Sequence, residues 1–175
     1  YDSGVLFATS GFGNVLAIDS YTGEELWRVN LKIPIRSAPI SHNNIVFVIT
    51  HDNQVFAINN KNGEILWNHR GILESASVLS SNSVAIDSGL IFVPYSSGEI
   101  YAIRTLNGSV VWSDSLSRTG SSTSLAEINS ITARPVADRG SLIAISHAGR
   151  MVSVDISTGE RLWTLDISGT ETPWV

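Results

Sequence analysis

A glycine followed four residues later by a tryptophan occurs four times along this chain of 175 residues. The pairs are Gly23 with Trp27, Gly63 with Trp67, Gly108 with Trp112, and Gly159 with Trp163. Six residues before each glycine stands a small residue, and ten before it stands a glycine or an asparagine. Self-similarity at a spacing of 40 to 51 residues is the signature of a fold built from repeated supersecondary units. The repeat constrains the fold more than any other feature of the sequence.

Each unit carries signals for two chain reversals. Glycine and asparagine reach positive φ at low cost, so they favour the tight turns that join antiparallel strands. The first reversal is marked by Gly13, Asn53, Gly98 and Gly149. The second falls in the segments DSYTGE, NNKNGE, RTLNGS and DISTGE, each with a glycine suited to a bulged hairpin turn. The sequence therefore predicts hairpins and not helices.

The segments between the two reversals are apolar at almost every position. They span residues 15–18, 55–58, 100–103 and 151–154. A strand without polar alternation has both faces buried, and no amphipathic helical stretch is present to cover a parallel sheet. The pattern predicts an all-β fold of four-stranded antiparallel blades stacked face to face, which is a β-propeller.

The other two strands of each unit follow from the offsets to the tryptophans. We expect second strands at 5–9, 45–49, 90–94 and 142–146, and inner strands around Pro39, Val84 and Pro135. The predicted blades are 1–31, which lacks its inner strand, then 32–70, 71–117 and 118–168. Residues 169–175 resemble the inner strand of a further blade, which makes sixteen strands.

This inventory of about four blades leaves two arrangements open. The last strand closes a four-bladed ring beside residues 5–9, or the chain is half of an eight-bladed ring, which we favour. Terminal blades of a half ring expose apolar faces, and such faces drive association. We therefore expect the isolated chain either to pair with a second copy or to close on itself.

Composition excludes several classes of function. A net charge of −5 has the wrong sign for a nucleic-acid partner, and the absence of cysteine excludes disulfides and thiolate chemistry. No two of the four histidines share a spacing that suits a metal ion on one element, so we expect no metal and no cofactor. The tryptophans recur once per blade, as packing between blades requires, and Asp19 and Asp155 recur at one turn position. We expect a binding scaffold, not an enzyme.

Two connections between blades carry extra chain, at 71–83 and 113–130. Each leads from an outer strand to the next inner one, which places both on the same face of the disc. Extra loop is where binding residues concentrate. We predict a partner-binding surface on this face, formed by the residues Leu73, Val78, Leu79, Ser130 and Arg134.

The segments AIDSYTGEELW from Ala17 and SVDISTGERLW from Ser153 resemble the repeat of the pyrroloquinoline-quinone (PQQ)-type propellers. Within that superfamily, the stretch from Arg118 to Trp163 is similar to the outer-membrane protein assembly factor BamB. The resemblance implies a lipoprotein anchored, outside this chain, to the periplasmic face of the bacterial outer membrane. It also implies docking onto the periplasmic domains of BamA and assistance to the folding of outer-membrane β-barrels.

The sequence departs from that family at the docking loops. In the relatives these loops carry a Leu-x-Leu-Arg segment and an Asp-x-Asp pair, whereas residues 76–79 and 130–132 lack the charges here. The main alternative is a fragment of a PQQ-dependent dehydrogenase, although the adjacent cysteines and clustered acidic and amide site that the resemblance implies are not visible. A sugar- or peptide-binding propeller is a third possibility without a specific signal.

Overall fold

The computed structural model describes residues 1–35, 37–72, 83–116, 130–147 and 149–174, and every regular element in these ranges is a β-strand. Blade 1 contains β1 (Val5–Thr9), β2 (Asn14–Asp19) and β3 (Glu25–Asn30). Blade 2 contains β4 (Ile40–His42), β5 (Ile45–Ile49), β6 (Gln54–Asn59) and β7 (Ile65–Arg70). Blade 3 contains β8 (Ala85–Asp87), β9 (Leu90–Pro94), β10 (Glu99–Arg104) and β11 (Val110–Ser115). Blade 4 contains β12 (Val136–Asp138), β13 (Ser141–Ser146), β14 (Arg150–Asp155) and β15 (Arg161–Leu165). The described ranges hold no helix that could cross a membrane.

Each blade is an antiparallel meander in which strands adjacent in sequence are paired. The predicted bulge is present near the second turn of every blade. In blade 1, Ala17 pairs with Trp27 and Ile18 pairs with Glu25, which leaves Leu26 as the extra residue. Gly23 precedes this bulge with a φ of 74°, a conformation that glycine adopts without steric penalty.

Each third strand lies where the sequence predicted it and extends one residue further at both ends. The second strands match their predicted bounds, except that β13 begins one residue earlier, at Ser141. The inner strands begin directly after the three positions around which they were predicted. β4 starts after Pro39 and β12 after Pro135, because proline has no N–H to donate to the ladder. β11 also continues to Ser115, so the second long connection starts after residue 113.

Both ends of the chain differ from the prediction. Asp2 and Val5 exchange two backbone hydrogen bonds of 2.9 Å, so Asp2 takes the place of His42 in blade 1 and the end of an inner strand lies within the chain. The predicted sixteenth strand is not formed, since residues 166–174 contain no strand and Trp174 is 99% exposed. An inner strand needs a second strand of its own blade, and the described residues provide none after β15.

The chain divides into two compact units, Tyr1–Arg70 and Gly71–Val175. In the first unit, Val46 and Val48 of β5 and Phe56 of β6 join Val15 and Trp27 in one core cluster between blades 1 and 2. In the second unit, Phe92, Trp112, Leu142 and Val152 belong to a corresponding cluster between blades 3 and 4. None of the residues predicted to have both faces covered is exposed, and residues 55–58 are buried throughout; these segments are 15–18, 55–58, 100–103 and 151–154.

Candidate partner-binding site

The repeated tryptophans are engaged by the turn of the following blade. Trp27 of blade 1 donates its Nε1–H to the carbonyl of Asn60 at 2.9 Å, and its ring lies against Gly63 of blade 2. A Cβ on Gly63 would lie 2.9 Å from the ring. The glycine of one repeat therefore leaves room for the tryptophan of the repeat before it.

The same contact recurs in the second unit. Trp112 donates its Nε1–H to the carbonyl of Ile156 at 2.8 Å, and a Cβ on Gly159 would lie 2.7 Å from its ring. Trp27 and Trp112 are only 9% and 8% exposed. Both rings therefore lie largely buried between neighbouring blades.

A phenylalanine that the sequence analysis missed completes each of these sites. Phe7, Phe47 and Phe92 precede the tryptophan of their own blade by 20 residues, with ring centroids 5.8 to 6.0 Å from the indole. Blade 4 has Ile143 at this position. The fixed offset was visible in the sequence and could have identified these residues as packing partners.

Trp163 of blade 4 has no such environment. Its side chain is 40% exposed, and Leu165 and Ile167 after it are 55% and 52% exposed. On blade 1, nothing lies within 4 Å of the position that a Cβ on Gly23 would take. The structural role predicted for Trp163 and Gly23 is therefore not fulfilled within the described part of the chain.

The recurring aspartates hold their turns together, as the sequence predicted. Asp19 Oδ1 accepts backbone N–H bonds from Tyr21 and Thr22, both at 2.8 Å, and these lower the pKa of its carboxyl. The pKa of Asp155 is lowered by the hydroxyl of Ser157 and by the backbone N–H groups of Thr158 and Ser157. A carboxylate held ionised in this way contributes turn stability and is a poor proton donor.

The histidines are scattered. His51 and His147 are exposed residues at the first reversal of their blades, while His42 lies in β4 and His69 in β7. Within the described ranges, no group of three or more histidine, aspartate or glutamate side chains could hold a metal ion.

Tyr95 lies at the first reversal of blade 3, close to the described ends of both long connections. Tyr95 is fully buried, which raises the pKa of its phenol, and Gly71 lies so close that a Cβ there would be 2.5 Å from the ring. The Tyr95 carbonyl also accepts the backbone N–H of Ile131 at 3.4 Å. Residues at the ends of both long connections thus contact one buried residue that the sequence did not single out, Gly71 through the Tyr95 ring and Ile131 through the Tyr95 carbonyl.

Ser130 lies beside this anchor and is 1% exposed. Its hydroxyl donates to the carbonyl of Ser96 at 3.0 Å, and its carbonyl accepts the N–H of His147 at 3.0 Å. These bonds join the first reversals of blades 3 and 4, so Ser130 has a structural position beneath the surface. Arg134, four residues later, is exposed at the start of the inner strand. The other predicted contact residues, Leu73, Val78 and Leu79, lie outside the described residues.

The outer strands of blades 3 and 4 are joined by an ion pair. Arg161 donates from Nε and Nη2 to the two carboxylate oxygens of Asp114 at 2.8 and 2.7 Å. Nη2 also donates to the carbonyl of Ser115. The hydrogen bonds to the Asp114 carboxylate raise the pKa of the Arg161 guanidinium. The clamp holds the rim of the two blades together next to the Trp112 site.

Meander blades joined by a tryptophan-to-glycine contact define the class of the protein as a PQQ-type repeat propeller. The comparisons then identify the family. The family model described as outer membrane protein assembly factor BamB matches residues 1–175, and the chain belongs to this family.

Individual relatives agree with this assignment. The chain is 28% identical over 147 residues to the outer membrane protein assembly factor BamB of Nitrosomonas eutropha, covering 84% of this chain and 36% of the relative. The crystal structure of BamB from Moraxella catarrhalis has a TM-score of 0.89 at 24% identity, covering 98% of this chain and 52% of that chain. The chain therefore spans about a third to a half of these relatives.

The fold is also found in an enzyme. A europium-containing methanol dehydrogenase has a TM-score of 0.74 at 16% identity, over 94% of this chain and 40% of that chain. At this identity the likeness concerns the fold alone. Function therefore has to be argued from the family and from the residues of the site.

Proposed function

We propose that this chain is part of a non-catalytic scaffold that assists the folding and insertion of outer-membrane β-barrel proteins. It works at the periplasmic face of the bacterial outer membrane, held there by a lipid anchor outside this chain. Its partners are a BamA-like barrel protein, through the periplasmic domains, and other members of the assembly complex. The observation that carries this proposal is the match of the BamB family over residues 1–175.

The candidate catalytic and cofactor-binding residues all make structural contacts, which supports a scaffold and not an enzyme. Trp27 and Trp112 are enclosed by neighbouring blades, and the carboxylates of Asp19 and Asp155 accept hydrogen bonds from their own turns. A catalytic constellation needs groups directed at a shared point where substrate can bind. These four residues instead occupy repeated positions, where the tryptophans join neighbouring blades and the aspartates stabilise their own turns.

The proposed docking surface is the face with the long connections. Its members are Leu73, Val78, Leu79 and Arg134, with the buried Ser130 as support. Arg134 is exposed, whereas its neighbours Ala133, at 4% exposure, and Pro135 are buried. The backbone that carries the Arg134 side chain is therefore packed into the blade. Arginine on a preorganised surface is the type of residue that concentrates binding energy at interfaces.

The structure offers a matched pair of arginines for testing this surface. Arg134 precedes the three-residue strand β12 and Arg139 follows it, so they lie at opposite ends of the strand, and both are exposed. We expect Arg134→Glu to weaken binding to purified BamA periplasmic domains by about tenfold or more, measured by calorimetry. Arg139→Glu introduces the same charge change and should alter affinity by less than about twofold. Equal effects of the two substitutions would contradict the proposed face.

A second test addresses the connection at 71–83. Leu79→Glu should reduce affinity for the same domains, because a carboxylate would have to be desolvated in an apolar contact. Circular dichroism of the variant must match that of the parent chain. Undiminished binding by both Leu79→Glu and Arg134→Glu would remove the basis for placing the partner here.

The alternative, a fragment of a PQQ-dependent dehydrogenase, is favoured by the fold shared with the europium-containing methanol dehydrogenase. Titration with quinone and calcium, followed by tryptophan fluorescence, separates the two proposals. A scaffold should give no saturable change, whereas quinone stacking on an indole would quench its emission.

We propose in addition that the isolated chain associates with itself through its terminal blades.

A further inference from the structure

One of the four second reversals lacks the side chain that stabilises the others. In blades 1, 2 and 4 the reversal begins with Asp19, Asn59 or Asp155, and Oδ1 of each accepts one or two backbone N–H groups of its own turn. Blade 3 has Arg104 at this position, and a guanidinium has no acceptor atom. The Arg104 side chain is exposed and makes no hydrogen bond or ion pair within the described part of the chain. A residue that departs from a local rule without a structural gain is a candidate for function.

Arg104 lines a cavity of about 430 Å³ between the turns of blades 3 and 4. Asp87 and Leu90 of blade 3 and Asp155 and Ile156 of blade 4 also line it. Asp87 pairs with Leu90 in the sheet and Leu90 pairs with Arg104, so the three side chains project from the same face of blade 3. Leu90 belongs to the core cluster that joins the two blades, so this face is directed at blade 4. The cavity is of the size in which proteins bind small molecules.

The carboxylate of Asp87 has one oxygen without a partner among the described residues, unlike its counterpart in the first unit. Asp2 accepts a hydrogen bond from the serine that follows it on Oδ1, at 2.7 Å, and from Ser41 of blade 2 on Oδ2, at 2.8 Å. Asp87 accepts the corresponding bond from its following serine on Oδ2, at 2.9 Å. Ala137 takes the place of Ser41 in blade 4 and has no hydroxyl to donate. Oδ1 of Asp87 is therefore available to a ligand in the cavity.

The charges of the cavity determine which ligands it can bind. Its wall holds two carboxylates and one guanidinium, so a phosphate would meet a net negative charge. A zwitterion satisfies both signs, because its carboxylate accepts from Arg104 and its ammonium donates to Asp87. These two residues are two strand spacings apart, about 10 Å. An extended dipeptide spans about 7 Å and leaves room for a hydrogen bond at each end.

We propose that this cavity binds a dipeptide with free termini, its carboxylate on Arg104 and its ammonium on Asp87. An apolar side chain of the dipeptide packs against Leu90 and Ile156. The turns that form the cavity join inner to second strands and third to outer strands, so they lie at the strand ends opposite to the long connections. The site is thus separate from the proposed docking surface and does not depend on the proposed function.

Two substitutions test the site, each with a matched control. Arg104→Asn removes the guanidinium and supplies the turn with the side chain that blade 2 uses, so the variant should unfold at the temperature of the parent chain or above it. Asp87→Asn keeps the shape of the side chain and removes its charge. Both should bind the dipeptide at least about tenfold more weakly. Arg28→Asn and Glu24→Gln make the same charge changes at exposed positions of blade 1 and should bind within about twofold of the parent chain.

Isothermal titration calorimetry with the dipeptide Ala-Leu measures binding. The parent chain should show one saturable site, and N-acetyl-Ala-Leu-amide, which lacks both terminal charges, should give no saturable heat. Absence of a saturable site for Ala-Leu, equal binding of the blocked peptide, or undiminished binding by Arg104→Asn would overturn the inference. Loss of binding by Arg104→Asn together with a lower unfolding temperature would assign this residue a structural role and would also overturn it.

Discussion

The turn glycines offer a direct test of how the blades are joined. Gly23, Gly63 and Gly159 occupy the same repeat position with φ values of 74°, 75° and 74°. Replacing each by alanine therefore imposes the same backbone penalty. The three sites differ in what the added methyl group meets, because only Gly63 and Gly159 lie against a tryptophan of the preceding blade.

The backbone penalty of an alanine in the left-handed region is about 1 to 2 kcal/mol, and we expect this loss of stability for Gly23→Ala. At Gly63 the methyl group would lie 2.9 Å from the ring of Trp27, and at Gly159 it would lie 2.7 Å from the ring of Trp112. The indole has to move, and overpacking of this kind costs about a further 1 to 3 kcal/mol. Gly63→Ala and Gly159→Ala should therefore lose about 2 to 5 kcal/mol in total.

Urea unfolding followed by circular dichroism measures the three free energies, at a protein concentration low enough to keep the chain single. Tryptophan emission supplies a second readout. It should shift to longer wavelength in native Gly63→Ala and Gly159→Ala as a displaced indole meets water, and it should stay unchanged in Gly23→Ala. Equal destabilisation by all three substitutions, with no spectral shift, would refute the view that the glycine accommodates the neighbouring tryptophan.

Three further outcomes are expected. Trp112→Phe should cost about 1 to 3 kcal/mol in urea unfolding, because the carbonyl of Ile156 loses its donor. Arg161→Ala should cost about 1 kcal/mol at low salt and less in 1 M salt, since its pair with Asp114 is partly exposed and is screened. Hydrogen bonds hold the pKa of Asp19 below its ordinary 3.8, so its stabilising effect is present above that pH and is lost as the pH falls below it. Asp19→Asn should accordingly lose less thermal stability than the parent between about pH 5 and about pH 3.

Much of the fold follows from local residue chemistry. The reversals were predictable because Gly13, Asn53 and Gly23 adopt positive φ, which few other residues do readily. The middle strands were predictable because each apolar segment lies between two such reversals. The ends of the inner strands were not predictable from the sequence, because the bounds of a three-residue strand depend on its pairing partner and not on its own composition.

The candidate site could be predicted less completely. Ser130 looked like part of an exposed Ser- and Thr-rich loop, yet it is buried, and its hydroxyl bonds to blade 3 while its carbonyl bonds to the first reversal of its own blade. Tyr95 gave no signal, because a tyrosine in a turn is usually exposed, whereas here Gly71 and the ring of Tyr101 pack against it. The bonds of Ser130 to Ser96 and of Ile131 to Tyr95 join residues of different repeats, and offsets within one repeat do not reveal them.

In this molecule, the residues that hold the blades together differ from those proposed to bind a partner. Trp27 and Trp112 form sites shared by two blades, so neither blade can complete its core alone, and a change at one turn is transmitted to its neighbour. These positions are therefore closed to ligands and intolerant of variation. The connections between blades carry no such constraint beyond anchors such as Tyr95, and they can differ in length and charge without disturbing the core. The absence of charged side chains at residues 130–132 is compatible with an intact fold for this reason, and the proposed docking surface relies on Arg134 instead.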